Sequence, residues 1–222
     1  MKITGIIGRL VLILCVPVLL LSASIAWGFN SLWIYQLGFN KYHVGQATGL
    51  SDAELDQAGQ TMITYWNNSQ DLVQITVARN GAPFNLFTLD EQLHLKDVKA
   101  LVGLDYKVLG VSFILALALV LLTVFWRSGR YRRWLAKSLL WGCGVSLILI
   151  LVMGIGTLVD FNQLFLDFHF LAFSNDFWSA PGFMIALFGD LWYDAVLIGT
   201  GFMAGLAILL AAASAIYLWR TK

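Results

Sequence analysis

The chain has 222 residues, of which 59% are hydrophobic and only 12% charged. Soluble domains carry about twice that share of charge and lack apolar runs of bilayer length, so a soluble globular fold is excluded. The formal net charge of +1 excludes the strongly basic balance of a nucleic-acid binder, and no phosphate-binding glycine motif points to a nucleotide.

Four runs free of Asp, Glu and Arg are long enough to cross a bilayer as helices. They lie at about 10–28, 108–126, 136–159 and 195–219, and only the third holds a lysine, Lys137 near its edge. The first run follows Lys2 and Arg9 and so also resembles a secretory signal. Its apolar character continues through Trp27 and Phe29, which is longer than a signal core. Cys15 and Cys143 both fall inside the runs, where they offer neither a disulfide nor a cysteine-based metal site.

Between the first two runs lies a polar segment of about 29–107. "FNKYHVGQ" (39–46), with His43, reads as an exit loop. "SDAE" (51–54) and "TLDE" (88–91) both have the S/T-x-x-E form of a capping box. The first predicts a helix over about 52–66, with Leu55, Ala58, Met62 and Tyr65 on its inner face. Between the boxes, alternation around Asn80-Gly81 predicts a short hairpin over about 73–87. The second box opens "FTLDEQLHLKDVKAL" (87–101), a polar helix in an otherwise apolar chain. A short basic link, "RSGRYRR" (127–133), joins the second and third runs. The segment 160–194 has eleven aromatic residues, one histidine and no Lys or Arg. In the fourth run, Gly201 and Gly205 form a GxxxG pattern that predicts close helix packing.

The predicted fold class is all-α. It is a single membrane domain, residues 1–222, built as a four-helix transmembrane bundle with a small, mostly helical extracytoplasmic cap. All thirteen carboxylates fall in 28–107 and 160–194, while Lys2, Arg9, the basic link, Arg220 and Lys222 have none beside them. The positive-inside rule therefore puts both termini and the link in the cytoplasm, and the two acidic segments on the outer face of the membrane.

Helical spacing puts Glu91, His94 and Asp97 on one side of the polar helix. A carboxylate at i+3 is within reach of an imidazole and would fix its tautomer; a plain solvated face is the bland alternative. The second outer segment adds His169 beside Ser174, Asn175 and Asp176. It reads either as an interfacial aromatic belt or as an aromatic-walled pocket where His169 meets His94.

"EQLHLKDVKAL" (91–101) resembles an E-x-x-H-[ML]-x-D-V-K motif. "VDFNQLFLDFHFLAFSNDFW" (159–178) resembles a D-F-x-x-x-F-x-x-F-H-x-x-x-F motif ending in Trp. With four spans and a cap after the first, the chain is similar to the bacterial lipoprotein intramolecular transacylase family. The resemblance implies an acyltransferase of the bacterial cell membrane. It would move the sn-2 acyl chain of a diacylglyceryl lipoprotein to the α-amine of its N-terminal cysteine, giving the lyso-form. It implies His94, His169 and Asp97 as catalytic residues. Glu91, Phe165, Phe168, Phe173, Asn175 and Trp178 would contact the substrate. The partners implied are the diacylated lipoprotein and membrane lipids, without nucleic acid, nucleotide, metal or cofactor. A lipid or lipoprotein esterase using the same site, and a non-catalytic membrane scaffold, are the alternative readings.

Overall fold

The computed structural model of the protein describes residues 3–79, 82–125 and 129–221. The elements are α1 (Ile3–Phe29), α2 (Leu32–Lys41), α3 (Val44–Thr48), α4 (Asp52–Trp66), β1 (Thr76–Arg79), β2 (Ala82–Asn85), α5 (Leu89–Phe125), α6 (Gly129–Ala172), α7 (Phe183–Phe188) and α8 (Leu191–Arg220). A 3-10 turn at Phe177–Ser179 precedes α7. Among the described residues, α1, α5, α6 and α8 are long and apolar enough to cross a membrane.

Two of these helices outrun the bilayer. The 37 residues of α5 extend about 55 Å, against a hydrocarbon core of about 30 Å. Its surplus is the charged stretch 89–107, which precedes the charge-free run 108–126 and therefore lies outside the spanning segment. In α6, Asp160 leaves helical geometry (φ −156°, ψ 86°) at the end of the third apolar run. Its Oδ1 accepts from Gln163 N at 3.0 Å, so Asp160 caps a second helical segment that carries the chain to Ala172.

The chain divides into two compact units. The apolar unit comprises residues 1–26, 105–155 and 198–222. Its core is Val16, Leu20, Cys143, Met203 and Ala207. Buried Ser138 and Ser146 satisfy their hydroxyls on carbonyls one turn back, at Trp134 and Gly142. The close approach belongs to Gly142: a Cβ there would lie 2.6 Å from Val16 Cβ. The GxxxG expectation is corrected, because among the described residues a Cβ on Gly201 or Gly205 would meet nothing within 4 Å. Spacing alone does not say which helix face a glycine pair occupies.

The aromatic unit comprises residues 27–104 and 156–197. The capping box at Ser51 forms, and α4 starts where the sequence places it. Leu55, Ala58, Met62 and Tyr65 are all buried. Trp66 Nε1 donates to the Tyr35 hydroxyl, which donates to the Phe29 carbonyl, each at 3.1 Å. The hairpin pairs Thr76 with Asn85 through Arg79 with Ala82; its Asn80-Gly81 turn lies outside the described residues. The expected exit loop is instead helical, as α2 and α3. Ile34, Tyr35 and Phe39 give α2 a buried face, and Gly38 admits Leu191 so closely that a Cβ would lie 2.6 Å from its Cδ1. His43 is exposed and takes a left-handed conformation (φ 51°) at the start of α3.

Candidate active site

The site begins with a cap. Glu91 Oε2 accepts from Thr88 N at 2.8 Å and from Thr88 Oγ1 at 3.0 Å, and Glu91 N donates back to Thr88 Oγ1. This capping box fixes the first turn of α5. Glu91 Oε1 accepts from Met184 N at 2.6 Å, so the same carboxylate ties α5 to the start of α7. A Cβ on Gly182 would collide with this carboxylate. Glu91 has 0% exposure and both its oxygens are engaged by protein donors. It was expected to contact substrate; its surroundings make it an anchor of the fold instead.

One turn on, the same helix face presents His94. His169 comes from the capped second segment of α6. The two imidazoles are 6% and 5% exposed. They stack with ring centroids 5.8 Å apart and planes 29° from parallel. Phe173 packs on both, at 4.9 Å from His94 and 5.3 Å from His169. Phe165, Phe168 and Trp178 surround His169 at 4.0, 5.4 and 5.0 Å. The aromatic-rich stretch thus wraps the paired histidines.

Hydrogen bonding makes the two rings different. His169 Nδ1 lies 2.7 Å from the Phe165 carbonyl oxygen. A carbonyl only accepts, so Nδ1 carries the proton and Nε2 of the neutral ring keeps its lone pair. His94 Nδ1 is buried with no hydrogen-bond partner among the described residues. Burial pushes the His94 pKa down to about 4, assisted by the neighbouring His169 and opposed by the Asp97 charge. Burial also lowers His169, against the raising effect of its bond to Phe165. In both rings the shift favours the neutral form.

Asp97 does not hold His94 Nδ1, contrary to the expectation from their i, i+3 spacing. Its Oδ2 accepts from Asn175 Nδ2 at 2.9 Å, while Asn175 Oδ1 accepts from Phe177 N at 3.2 Å. The carboxylate is drawn across to the aromatic loop instead of back along its own helix. Asn175 is thus brought into the site as a partner of Asp97. That pairing, 78 residues apart, and the Glu91–Met184 bond have no local sequence signature. A cavity of about 440 Å³ in the same unit is lined by Tyr42, Asp160, Asn162 and Asp190 among others, and neither paired histidine borders it. Among the described residues, no group of three or more His, Cys, Asp or Glu side chains is placed to hold a metal ion.

Solved structures similar to this chain include those of the membrane integral lipoprotein intramolecular transacylase Lit from Bacillus cereus. One matches with a TM-score of 0.82 at 14% identity, covering 100% of this chain and 99% of that one. Two carry single histidine substitutions, to arginine and to alanine; each matches with a TM-score of 0.79 at 16% identity over 98% of this chain and 93% and 95% of theirs. These likenesses show that the fold is that of a multi-pass membrane protein. Among curated proteins there is no match. A sequence model of the family described as lipoprotein intramolecular transacylase Lit matches residues 10–180, most of the chain. The chain belongs to the lipoprotein intramolecular transacylase family.

Proposed function

We propose that this acyltransferase moves the sn-2 acyl chain of a diacylglyceryl lipoprotein to the α-amine of the same lipid-bearing cysteine, with His94 and His169 as the proton carriers. The observation that supports it is the pair of buried, stacked imidazoles in an aromatic enclosure. In the transfer, the amine nitrogen bonds to the ester carbonyl carbon. The carbon–oxygen bond to the glyceryl group then breaks. The nitrogen gives up one proton and the glyceryl oxygen takes one. No energy source is needed, because an ester is exchanged for an amide.

The tautomer of His169 suits it to be the base, since Nε2 keeps a lone pair while Nδ1–H is held by Phe165. His94 is then the acid toward the glyceryl oxygen. Each such proton transfer commonly contributes about 10²–10⁴ in rate. Holding ester and amine of one molecule in attack geometry supplies roughly 7–11 kcal/mol more. The surrounding Phe and Trp rings keep out water, which would otherwise hydrolyse the ester.

The test is expression in a bacterium lacking such an enzyme, followed by mass spectrometry of a reporter lipoprotein's N-terminal peptide. The expected product carries one acyl group on nitrogen and one on the glyceryl oxygen. His94→Ala and His169→Ala should each cut that product by at least about 10²-fold at normal protein levels. The double variant should be little worse, because groups acting as a unit are strongly non-additive. Free fatty acid in place of N-acyl peptide would make the protein an esterase. Full transfer by either single variant would overturn the two-histidine mechanism.

A further inference from the structure

The site contains an inconsistency that points to a moving part. His94 Nδ1 is buried with no partner among the described residues, a state that costs free energy in any fold. A carboxylate able to satisfy it, Asp97, stands one helical turn away, and its charge is felt at the ring. That carboxylate is held elsewhere, by Asn175 at 2.9 Å. Asn175 lies on the loop that also supplies Phe173 and Trp178 against the two imidazoles. One loop therefore both covers the histidines and withholds the acid's partner.

We propose that Asn175 is a positioning residue that latches Asp97 away from His94 in the arrangement described here, and that substrate displaces the loop and releases Asp97 to accept a hydrogen bond from His94 Nδ1. The proposal rests on the reading of His94 as the acid. An acid must hold the proton it delivers, and the surroundings of His94 disfavour this. The ring is desolvated and faces His169, and only the Asp97 charge acts in the opposite sense. With Asp97 turned to Nδ1–H, the ring gains a charge-assisted bond that favours its protonated form. The site would then become competent only when an acyl chain occupies the space of Phe173 and Trp178, so that loose water meets an unready acid.

The test follows the His94 ring by nitrogen NMR in the ¹⁵N-histidine-labelled full chain in micelles. The probe is a synthetic diacylglyceryl-cysteine peptide with ether-linked chains, which binds but cannot transfer. Wild type should show an unbonded Nδ1 without the probe and a protonated, hydrogen-bonded Nδ1 with it. Asn175→Ala should show the bonded form without the probe, and Asp97→Asn in neither condition. With an ester substrate, Asn175→Ala should lower KM about tenfold, the worth of one hydrogen bond to a charged group. Asn175→Asp, which repels Asp97, should behave likewise and stands in if the alanine variant misfolds. A His94 signal unchanged by the probe or by releasing Asn175, or a KM that does not fall in a folded variant, would overturn the latch. If the probe shifts the His94 signal but no ester is ever transferred, the latch stands and the transacylase reading fails.

Discussion

At the scale of single residues, His94 and His169 are ordinary imidazoles made unusual by their neighbours. Both have pKa values depressed by burial, His94 to about 4 from an ordinary 6.5. This has a consequence for stability. Between pH 6.5 and 4 the unfolded chain binds a proton at position 94 that the folded chain refuses. Stability is therefore complete above pH 6.5 and falls as the medium is acidified toward 4. For one group the slope is at most about 1.4 kcal/mol per pH unit. Melting curves of the purified protein in micelles should show Tm falling across this window. His94→Gln, which cannot titrate, should flatten the fall. An equal slope in the variant would mean that His94 is not desolvated as the aromatic packing requires.

At the scale of elements, the site depends on helix ends. The Thr88–Glu91 box starts α5, Asp160 restarts α6, and Glu91 reaches across to α7. Removing the Glu91 carboxylate loses a cap, commonly worth about 1 kcal/mol, and leaves the buried Met184 N–H unpaired at about 1–3 kcal/mol. Glu91→Ala should thus destabilise by about 2–4 kcal/mol and Glu91→Gln by less, since an amide oxygen still accepts. Gly182→Ala drives a methyl group into the same carboxylate and should cost about 1–3 kcal/mol. Denaturant midpoints of the three variants check this; a neutral Glu91→Ala would remove the anchor role. The starts of α4 and α5 were legible because a capping box is local, complete within four residues. The same holds for the inner face of α4, where 3.6-residue spacing is enough. The helices α2 and α3 were not legible, because their only signal is a face buried against residues far along the chain, such as Leu191 under Gly38. The two histidines stood out as lone imidazoles in apolar or acidic contexts. The Asn175–Asp97 bond needed the tertiary fold.

For the whole molecule, the consequential property is its direction across the membrane, which decides on which side acyl transfer takes place. Basic groups cluster in three separate stretches of chain, and in the apolar unit these stretches come together. Arg133 Nη1 donates to the Thr221 carbonyl at 2.6 Å, joining the start of α6 to the end of α8. A Cβ on Gly8, near the start of α1, would lie 3.8 Å from the Trp134 ring. One end of the helical unit is therefore marked by Arg9, Arg132, Arg133 and Arg220, with no carboxylate in those stretches. Translocating such a cluster opposes the membrane potential, and arginines and lysines are retained in the cytoplasm. The expected orientation puts that end inside, and residues 29–107 and 160–194 outside with His94 and His169. In a background with Cys15→Ala and Cys143→Ala, single cysteines at the exposed positions Asn68→Cys and Arg132→Cys report the two sides. A membrane-impermeant maleimide should label position 68 in intact cells and position 132 only after permeabilisation. The reverse pattern would put the paired histidines in the cytoplasm, away from lipoproteins anchored on the outer face, and with them the reaction proposed for this chain would fall.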